Sequence, residues 1–115
     1  MITEDYVSYE VAKLLKEKRF DYKGFDYIDF EGEVITQDRP THQMAMKWLR
    51  EVHKKHCDIG YDIDLEWYFQ IIDLKETVEY DYPETKYYHA ENETNFKTYE
   101  EAVEVALKYV LENLI

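Results

Sequence analysis

Apolar residues occupy every odd position from residue 59 to residue 71 of this chain. They are Ile59, Tyr61, Ile63, Leu65, Trp67, Phe69 and Ile71. Because successive side chains of a strand point to opposite faces of a sheet, this alternation predicts β-structure with one buried face. A single strand of this length would be unusual, so we expect two strands joined by a tight turn near residues 64–66.

Three capped, amphipathic segments predict helices that can cover the buried face of this hairpin. Ser8 precedes a helix over residues 9–18, Thr41 precedes a second helix, and Thr98 forms a capping box with Glu101 before the third. The second helix is expected to bury a single stripe, made of Met44, Trp48, Leu49 and Val52. The last helix repeats apolar residues at helical spacing, namely Ala102, Val103, Ala106, Val110 and Leu114.

Two further segments complete the expected architecture. Residues 25–30 and 33–35 flank a turn at Glu31–Gly32 and predict a second hairpin. One more strand has two alternative positions, Tyr80/Tyr82 or Tyr87/Tyr88. The order α-β-β-α-β-β-(β)-α predicts an α+β fold, with about three helices packed on one face of a small antiparallel sheet. We expect a single domain over residues 1–115.

Most of the negative charge lies in the second half of the chain. Residues 1–57 carry ten Lys/Arg against eleven Asp/Glu, residues 58–115 carry four against fifteen, and the formal net charge is −12. Affinity for phosphate backbones comes mainly from Lys and Arg, so direct nucleic-acid binding is disfavoured. Two basic clusters are interpreted as solvent-facing helix surfaces: Lys13-Lys16-Lys18-Arg19 and Lys47-Arg50-Lys54-Lys55.

The sequence predicts a cytoplasmic protein. Cys57 is the only cysteine, which excludes an internal disulfide and is typical of a reducing compartment. The first residues lack the basic and apolar regions of a secretory signal. No apolar run approaches the roughly 20 residues that span a bilayer, so we expect no membrane partner.

Two groups of residues are candidate metal sites. His53, His56 and Cys57 would share one face if the second helix extends that far, and imidazole and thiolate suit Zn²⁺. The second group is Asp62, Asp64 and Glu66. It would place three carboxylates on one side of a strand, an arrangement that suits Mg²⁺ or Ca²⁺. The first group is better explained as a helix end with two exposed histidines and a partly buried cysteine, and the second as the solvated face of a strand. Neither spacing matches an established motif. We therefore expect no bound metal or other cofactor.

No motif in the chain points to catalysis. Cys57 near His53 and His56 would act as a nucleophile only in an electropositive pocket that lowers the thiol pKa. No Gly-rich phosphate loop, nucleophile elbow or zincin motif is present, and the chain has three glycines. The sequence therefore favours a non-enzymatic protein.

An acidic stretch rich in tyrosine is the candidate interaction surface. This acidic tyrosine surface consists of Glu79, Tyr80, Asp81, Tyr82, Glu84, Tyr87 and Tyr88. Tyrosine is favoured at interfaces because it buries a large ring and keeps a polar tip. We expect a module that binds another protein, with a homodimer as a further form of partner.

Two alternatives stay open. An acidic mimic of DNA could block a DNA-binding protein, since a net charge of −12 exceeds the magnitude of roughly 2–8 that suffices for solubility. A metal-binding protein or metal-dependent enzyme is the second alternative, through either candidate metal group.

Three segments of the chain resemble a group of known proteins. They are YVSYEVAKLLK (residues 6–16), THQMAMKWLREVH (residues 41–53) and, within residues 99–115, YEEA, ALKY and LENLI. Together they resemble small proteins with no assigned activity that Bacteroides-type bacteria and their phages or integrated elements encode. The resemblance covers the three predicted helices. It implies a phage or mobile-element accessory protein and carries over no functional residue.

Overall fold

In the described residues, three helices and five strands follow one another in the predicted order. The computed structural model describes residues 5–20, 25–28, 31–32, 34–37, 39–74, 86–90 and 92–115. The helices are α1 (Tyr9–Glu17), α2 (His42–Val52) and α3 (Tyr99–Asn113). The strands are β1 (Phe25–Ile28), β2 (Val34–Gln37), β3 (Lys55–Asp62), β4 (Glu66–Asp73) and β5 (Lys86–Tyr88). The α+β prediction is confirmed, whereas a single domain over residues 1–115 stays a prediction.

Each helix begins at the predicted capping residue. Ser8 Oγ accepts a hydrogen bond from Val11 N at 3.1 Å, and Thr41 Oγ1 accepts one from Met44 N at 3.2 Å. Thr98 Oγ1 accepts one from Glu101 N at 3.1 Å. Such a cap satisfies a backbone N–H that the helix leaves free and is worth about 1 kcal/mol.

Strands β3, β4 and β5 form one antiparallel sheet in that order. The β3–β4 hairpin pairs Lys55 with Asp73 at one end and Asp62 with Glu66 at the other, so the turn comprises residues 63–65. Glu66 adopts a left-handed conformation with φ +57°, which helps the chain reverse. Because the turn contains an odd number of residues, odd positions of both strands stay on one face, as the alternation predicts.

The helices pack on the face of this sheet that carries the odd-numbered residues. Cys57, Phe69 and Ile71 are buried there with a stripe of α3, made of Ala102, Val103, Ala106, Leu107, Val110 and Leu111. Val11 and Leu15 of α1 join the same core. Burying each large apolar side chain contributes about 1.5–3 kcal/mol, so this layer of contacts holds the helices on the sheet.

The buried face of α2 differs from the predicted stripe. Leu49 is buried and Trp48 is half-buried, but Met44 is 40% exposed and Val52 is 57% exposed. The residues that α2 buries are His42, Ala45, Met46 and Leu49. The helix is turned toward α3 by His42, a polar side chain that becomes buried because it finds a hydrogen-bonding partner there.

The first hairpin forms a separate, two-stranded sheet. Strands β1 and β2 pair antiparallel, from Phe25 with Gln37 to Ile28 with Val34. Gly32, in the expected turn, has φ +82°, which an L side chain rarely adopts. The described strands therefore make two sheets, of which the three-stranded sheet carries the core. None of the helices in the described residues is long and apolar enough to cross a bilayer.

Candidate functional site

The acidic tyrosine surface is only partly within the described chain. Its first five members lie outside the described residues: Glu79, Tyr80, Asp81, Tyr82 and Glu84. Tyr87 and Tyr88 belong to β5 and point to opposite faces of the sheet. Tyr87 is 46% exposed, whereas Tyr88 packs against the core and its hydroxyl donates a hydrogen bond to Asp73 Oδ2 at 2.9 Å. Tyr87 is thus the better placed of the two to contact a partner.

The sheet face opposite the helices carries polar and aromatic side chains. We call it the outer face; it consists of His56, Asp58, Gly60, Tyr68, Gln70, Ile72 and Tyr87. None of these residues belongs to the buried core that the sheet shares with the helices. The described part of the chain therefore leaves this face without a helical layer.

Tyr68 lies flat across the outer face because its neighbour is glycine. A Cβ atom added at Gly60 would lie 2.5 Å from both Cζ and the hydroxyl oxygen of Tyr68. No side chain larger than hydrogen fits there while the ring keeps its place, so Gly60 creates the space that the ring occupies. The result is an aromatic surface parallel to the sheet.

The turn of the β3–β4 hairpin exposes apolar side chains between carboxylates. We call residues 61–66 the hairpin tip. Tyr61 is 60% exposed, Ile63 is 86% exposed and Leu65 is 41% exposed, although the alternation predicted all three on the buried side. The correction follows from the position of the turn, since Ile63 and Leu65 lie in it and Tyr61 lies among the last residues of β3, next to the turn. Asp62, Asp64 and Glu66 separate these apolar residues.

The hairpin tip is held in place by its own polar groups and by the segment before α3. Asp62 Oδ1 accepts a hydrogen bond from Asp64 N at 2.8 Å, and both carboxylate oxygens of Glu66 lie 3.1 Å from Lys97 Nζ. Asn95 N donates to Leu65 O at 2.7 Å. Two of the three carboxylates that were a candidate cation site, those of Asp62 and Glu66, thus have structural roles in a turn and an ion pair.

The helical face predicted for His53, His56 and Cys57 does not form. Helix α2 ends at Val52, Lys54 has φ +58°, and the chain then enters β3. As neighbours on a strand, His56 and Cys57 point to opposite faces of the sheet. Among the described residues, no group of three or more His, Cys, Asp or Glu side chains is placed to hold a metal ion.

Cys57 lies in an environment that suppresses its reactivity. Burial raises the pKa of its thiol to about 12, although the positive charge of Arg50 opposes the rise. The thiolate, which is the nucleophilic form, is therefore scarce at neutral pH. This environment is typical of a structural cysteine rather than a catalytic one.

Two polar clusters in the structure were not predicted from the sequence. In the first, Glu104 on α3 accepts hydrogen bonds from His42 Nε2 and from Ser8 N, both at 2.8 Å. Burial raises the pKa of the Glu104 carboxyl, but the hydrogen bonds from His42 and Ser8 outweigh it and bring the pKa below its usual value. Both hydrogen bonds end on Glu104 Oε1, while the Ser8 hydroxyl is engaged by Val11 N as the cap of α1. The cluster therefore joins the N-terminal ends of α1 and α2 to α3.

The second cluster is a buried ion pair at the end of the sheet. Lys55 Nζ lies 3.5 Å from Asp73 Oδ1, and each side chain is 7% exposed. The prediction that Lys55 faces solvent is therefore wrong, because its position in β3 places it on the same face as Cys57 and Ile59. Extending the alternation of odd positions back to residue 55 would have placed this lysine on the inner face.

No family model, curated protein or solved structure matches this chain. The resemblance of the helical segments to small proteins of Bacteroides-type bacteria and their phages therefore stays a prediction.

Proposed function

We propose that this chain is a non-enzymatic, cytoplasmic interaction module that binds another protein through the hairpin tip and through the acidic tyrosine surface. The observation that carries the proposal is the exposure of Tyr61, Ile63 and Leu65 between carboxylates. Single exposed apolar side chains are ordinary, but a group of three on one rigid turn marks a contact surface.

The chemistry of the hairpin tip defines the kind of partner. Ile63 is 86% exposed, and burying an isoleucine side chain fully contributes about 1.5–3 kcal/mol. Asp62 and Asp64 flank it with negative charge, whereas Glu66 is paired with Lys97; the two aspartates attract a basic rim and accelerate association. The partner is therefore a protein with an apolar pocket bordered by Lys or Arg.

The rigidity of the hairpin tip supports the same proposal. Trp67 and Phe96 exchange two backbone hydrogen bonds, of 3.2 Å and 3.0 Å, just below the turn. Tyr61 packs edge-to-face on Trp67, with ring centroids 5.2 Å apart. A surface that is already ordered loses little conformational entropy on binding, so more of the contact energy appears as affinity.

The proposal that the module is not an enzyme rests on how the described polar groups are used. Glu104 joins three helices, Asp73 neutralises Lys55, and the Cys57 thiol is protonated at neutral pH. The cytoplasmic location is proposed from the single, reduced cysteine. A role in a phage or mobile element is proposed from the resemblance of the helical segments.

The test is affinity capture from bacterial lysate with matched variants. We expect wild type to capture a partner that Ile63→Ser/Leu65→Ser and Asp64→Lys no longer capture. Charge reversal at Glu79, Asp81 and Glu84 is also expected to weaken capture. Val52→Ser and Glu112→Lys change exposed residues on α2 and α3 and should leave it intact. Failure to recover a partner, or equal capture by all variants, would contradict the proposal.

DNA mimicry is the alternative, and the described carboxylates favour it less. Asp58 lies on the outer face of the sheet, whereas Glu100, Glu101 and Glu112 lie on α3, which packs on the inner face. Negative charge is thus divided between two sides of the described molecule rather than aligned along one track. Mimicry predicts competition with DNA for a basic protein and a steep loss of binding as salt rises. Binding that is insensitive to salt would exclude it.

A homodimer is a further form of the proposed interaction. An exposed tyrosine on a short edge strand, such as Tyr87 in β5, is a plausible contact between two copies. Light scattering after size exclusion measures the mass directly. A dimer that Tyr87→Ser dissociates would support this form, and a monomer at all concentrations would contradict it.

A further inference from the structure

A pocket beside α1 differs in charge from the protein as a whole. It lies between α1 and the Arg39–Pro40 segment and has a volume of about 270 Å³. It is lined by Tyr9, Ala12, Lys13, Leu15, Lys16, Phe20, Arg39 and Pro40. Among the described lining residues three are cationic and none is acidic, although the chain as a whole has a net charge of −12.

One face of α1 forms most of the wall. Tyr9, Ala12, Lys13 and Lys16 are spaced at i, i+3, i+4 and i+7, so they share one side of the helix. This side is distinct from the one that carries Val11 into the core. Lys13 and Lys16 are exposed and form no ion pair with any residue that the structure describes, so both ammonium groups can face a ligand.

The opposite wall is fixed by a short pairing between the segments that precede α1 and α2. Val7 N donates to Pro40 O at 3.0 Å, and one terminal nitrogen of Arg39 donates to Val7 O at 3.2 Å. The Arg39 guanidinium also lies 4.2 Å from the centroid of the Tyr9 ring. These contacts hold the arginine across the pocket from Lys13 and Lys16.

The guanidinium of Arg39 offers hydrogen-bond donors to a ligand. Its side chain carries five N–H donors, and among the described residues its buried Nε has no hydrogen-bond partner. Because Nε is itself inaccessible, an anion in the pocket would accept hydrogen bonds from the terminal N–H groups, which stabilise it by more than charge alone.

The floor of the pocket is apolar and well supported. Leu15 is 1% exposed and Pro40 is buried. Phe20 packs edge-to-face on Trp48, with ring centroids 5.1 Å apart. A mostly apolar cavity with a few convergent polar groups is the usual form of a small-molecule site.

We propose that this pocket binds a small organic anion, in which a phosphate or carboxylate group is joined to an apolar body. The anionic group lies between Lys13, Lys16 and Arg39, and the apolar body lies against Leu15 and Phe20. Both halves are needed, because the cations recognise the charge and the floor excludes water from the body of the ligand. The site is separate from the hairpin tip and does not depend on the proposed interaction with a protein.

The test uses phenyl phosphate as the probe, with phenol and inorganic phosphate as its two separated halves. Backbone amide resonances of isotopically labelled protein are followed by NMR during titration. We expect phenyl phosphate to shift the amides of Ala12, Lys13, Lys16 and Phe20 with a dissociation constant on the order of 1 mM, while Ile63 does not shift. Phenol and inorganic phosphate should each bind more weakly, and benzoate should reproduce the pattern if carboxylate serves as well as phosphate.

Matched lysine variants show whether the positive charge of the pocket is responsible for phenyl phosphate binding. Lys13→Gln/Lys16→Gln should weaken phenyl phosphate binding about fivefold. Lys47→Gln/Lys54→Gln removes the same charge from exposed positions elsewhere and should change it little. Ile63→Ser should bind phenyl phosphate as wild type does. Loss of protein binding at the hairpin tip can therefore be distinguished from loss of anion binding in the pocket. The proposal is overturned if phenyl phosphate shifts no pocket resonance, or if both double variants bind it equally. It is likewise overturned if an acidic peptide binds the pocket and phenyl phosphate does not.

Discussion

Replacing Asp73 by Asn would leave the Lys55 ammonium group buried without its carboxylate partner. Lys55 Nζ and Asp73 Oδ1 are 3.5 Å apart, and each side chain is 7% exposed. The substitution keeps the shape of residue 73 and still offers an oxygen to the Tyr88 hydroxyl. It therefore removes the negative charge while leaving the packing almost unchanged.

The free energy of unfolding that Asp73→Asn loses depends on how deeply the ion pair is buried, not on how short the contact is. Lys97 and Glu66 form a shorter contact, 3.1 Å, but their side chains are 76% and 38% exposed. Breaking a buried pair by removing one charge costs about 3–5 kcal/mol, whereas an exposed pair is worth about 0–1 kcal/mol. We expect Asp73→Asn to lower the free energy of unfolding by about 3 kcal/mol and Glu66→Gln by less than about 1 kcal/mol.

Urea denaturation followed by the fluorescence of Trp48 and Trp67 measures both changes. A loss of about 3 kcal/mol corresponds to a Tm lowered by roughly 10–15 °C for a domain of this size. Lys55→Met/Asp73→Leu should recover most of the loss, because replacing both charges removes the unpaired ammonium group. Equal midpoints for Asp73→Asn and Glu66→Gln would refute the reasoning.

Three other predictions concern single residues. Gly60→Ala should destabilise the fold by about 1–3 kcal/mol, because the added Cβ would lie 2.5 Å from Tyr68. In urea denaturation, adding Tyr68→Ala to the Gly60→Ala variant should remove most of this loss of stability. The pKa of Glu104 is lower in the folded protein than its ordinary value of 4.5, so its contribution to stability is present above pH 4.5 and is lost as pH falls through the folded-state pKa. Unfolding free energies measured across this range should therefore fall less steeply in Glu104→Gln than in wild type, and parallel curves would contradict the assignment. Because burial raises the pKa of Cys57 to about 12, iodoacetamide at pH 8 should label it only after denaturation, and rapid labelling of the folded protein would show that it is accessible.

Local signals predicted the framework of the fold. Ser8, Thr41 and Thr98 cap helices because their side-chain oxygens satisfy nearby backbone N–H groups, a relation that depends only on neighbouring residues. The alternation of odd positions placed Phe69 and Ile71 on the buried face for the same reason. Such features need no knowledge of the rest of the chain.

The buried face of α2 and the exposure of Ile63 depend on tertiary contacts, and the sequence did not predict them. His42 is buried because Glu104, far along the chain, accepts its hydrogen bond, and this contact turns α2 away from the predicted stripe. Alternation alone does not say where a hairpin turns, so Ile63 was expected to be buried although it lies in the turn.

The candidate sites were predictable only in part. Lys13 and Lys16 were identified as one side of a basic helix, but their position opposite Arg39 depends on the pairing of Val7 with Pro40. The pocket takes its cations from α1 and from Arg39. Neither strand alternation nor helical spacing predicts that these two segments lie close together. Tyr87 and Tyr88 were grouped by composition, and the direction in which each points became known only with the strand register.

Site-specific photo-crosslinking measures whether the hairpin tip contacts a protein partner. A benzophenone side chain placed at residue 63 samples the hairpin tip, and the same group at residue 52 samples a comparably exposed apolar position on α2. The proposed function predicts a protein adduct from residue 63 that residue 52 does not give and that Asp64→Lys abolishes. Adducts of equal yield from both positions, or none from residue 63, would contradict it.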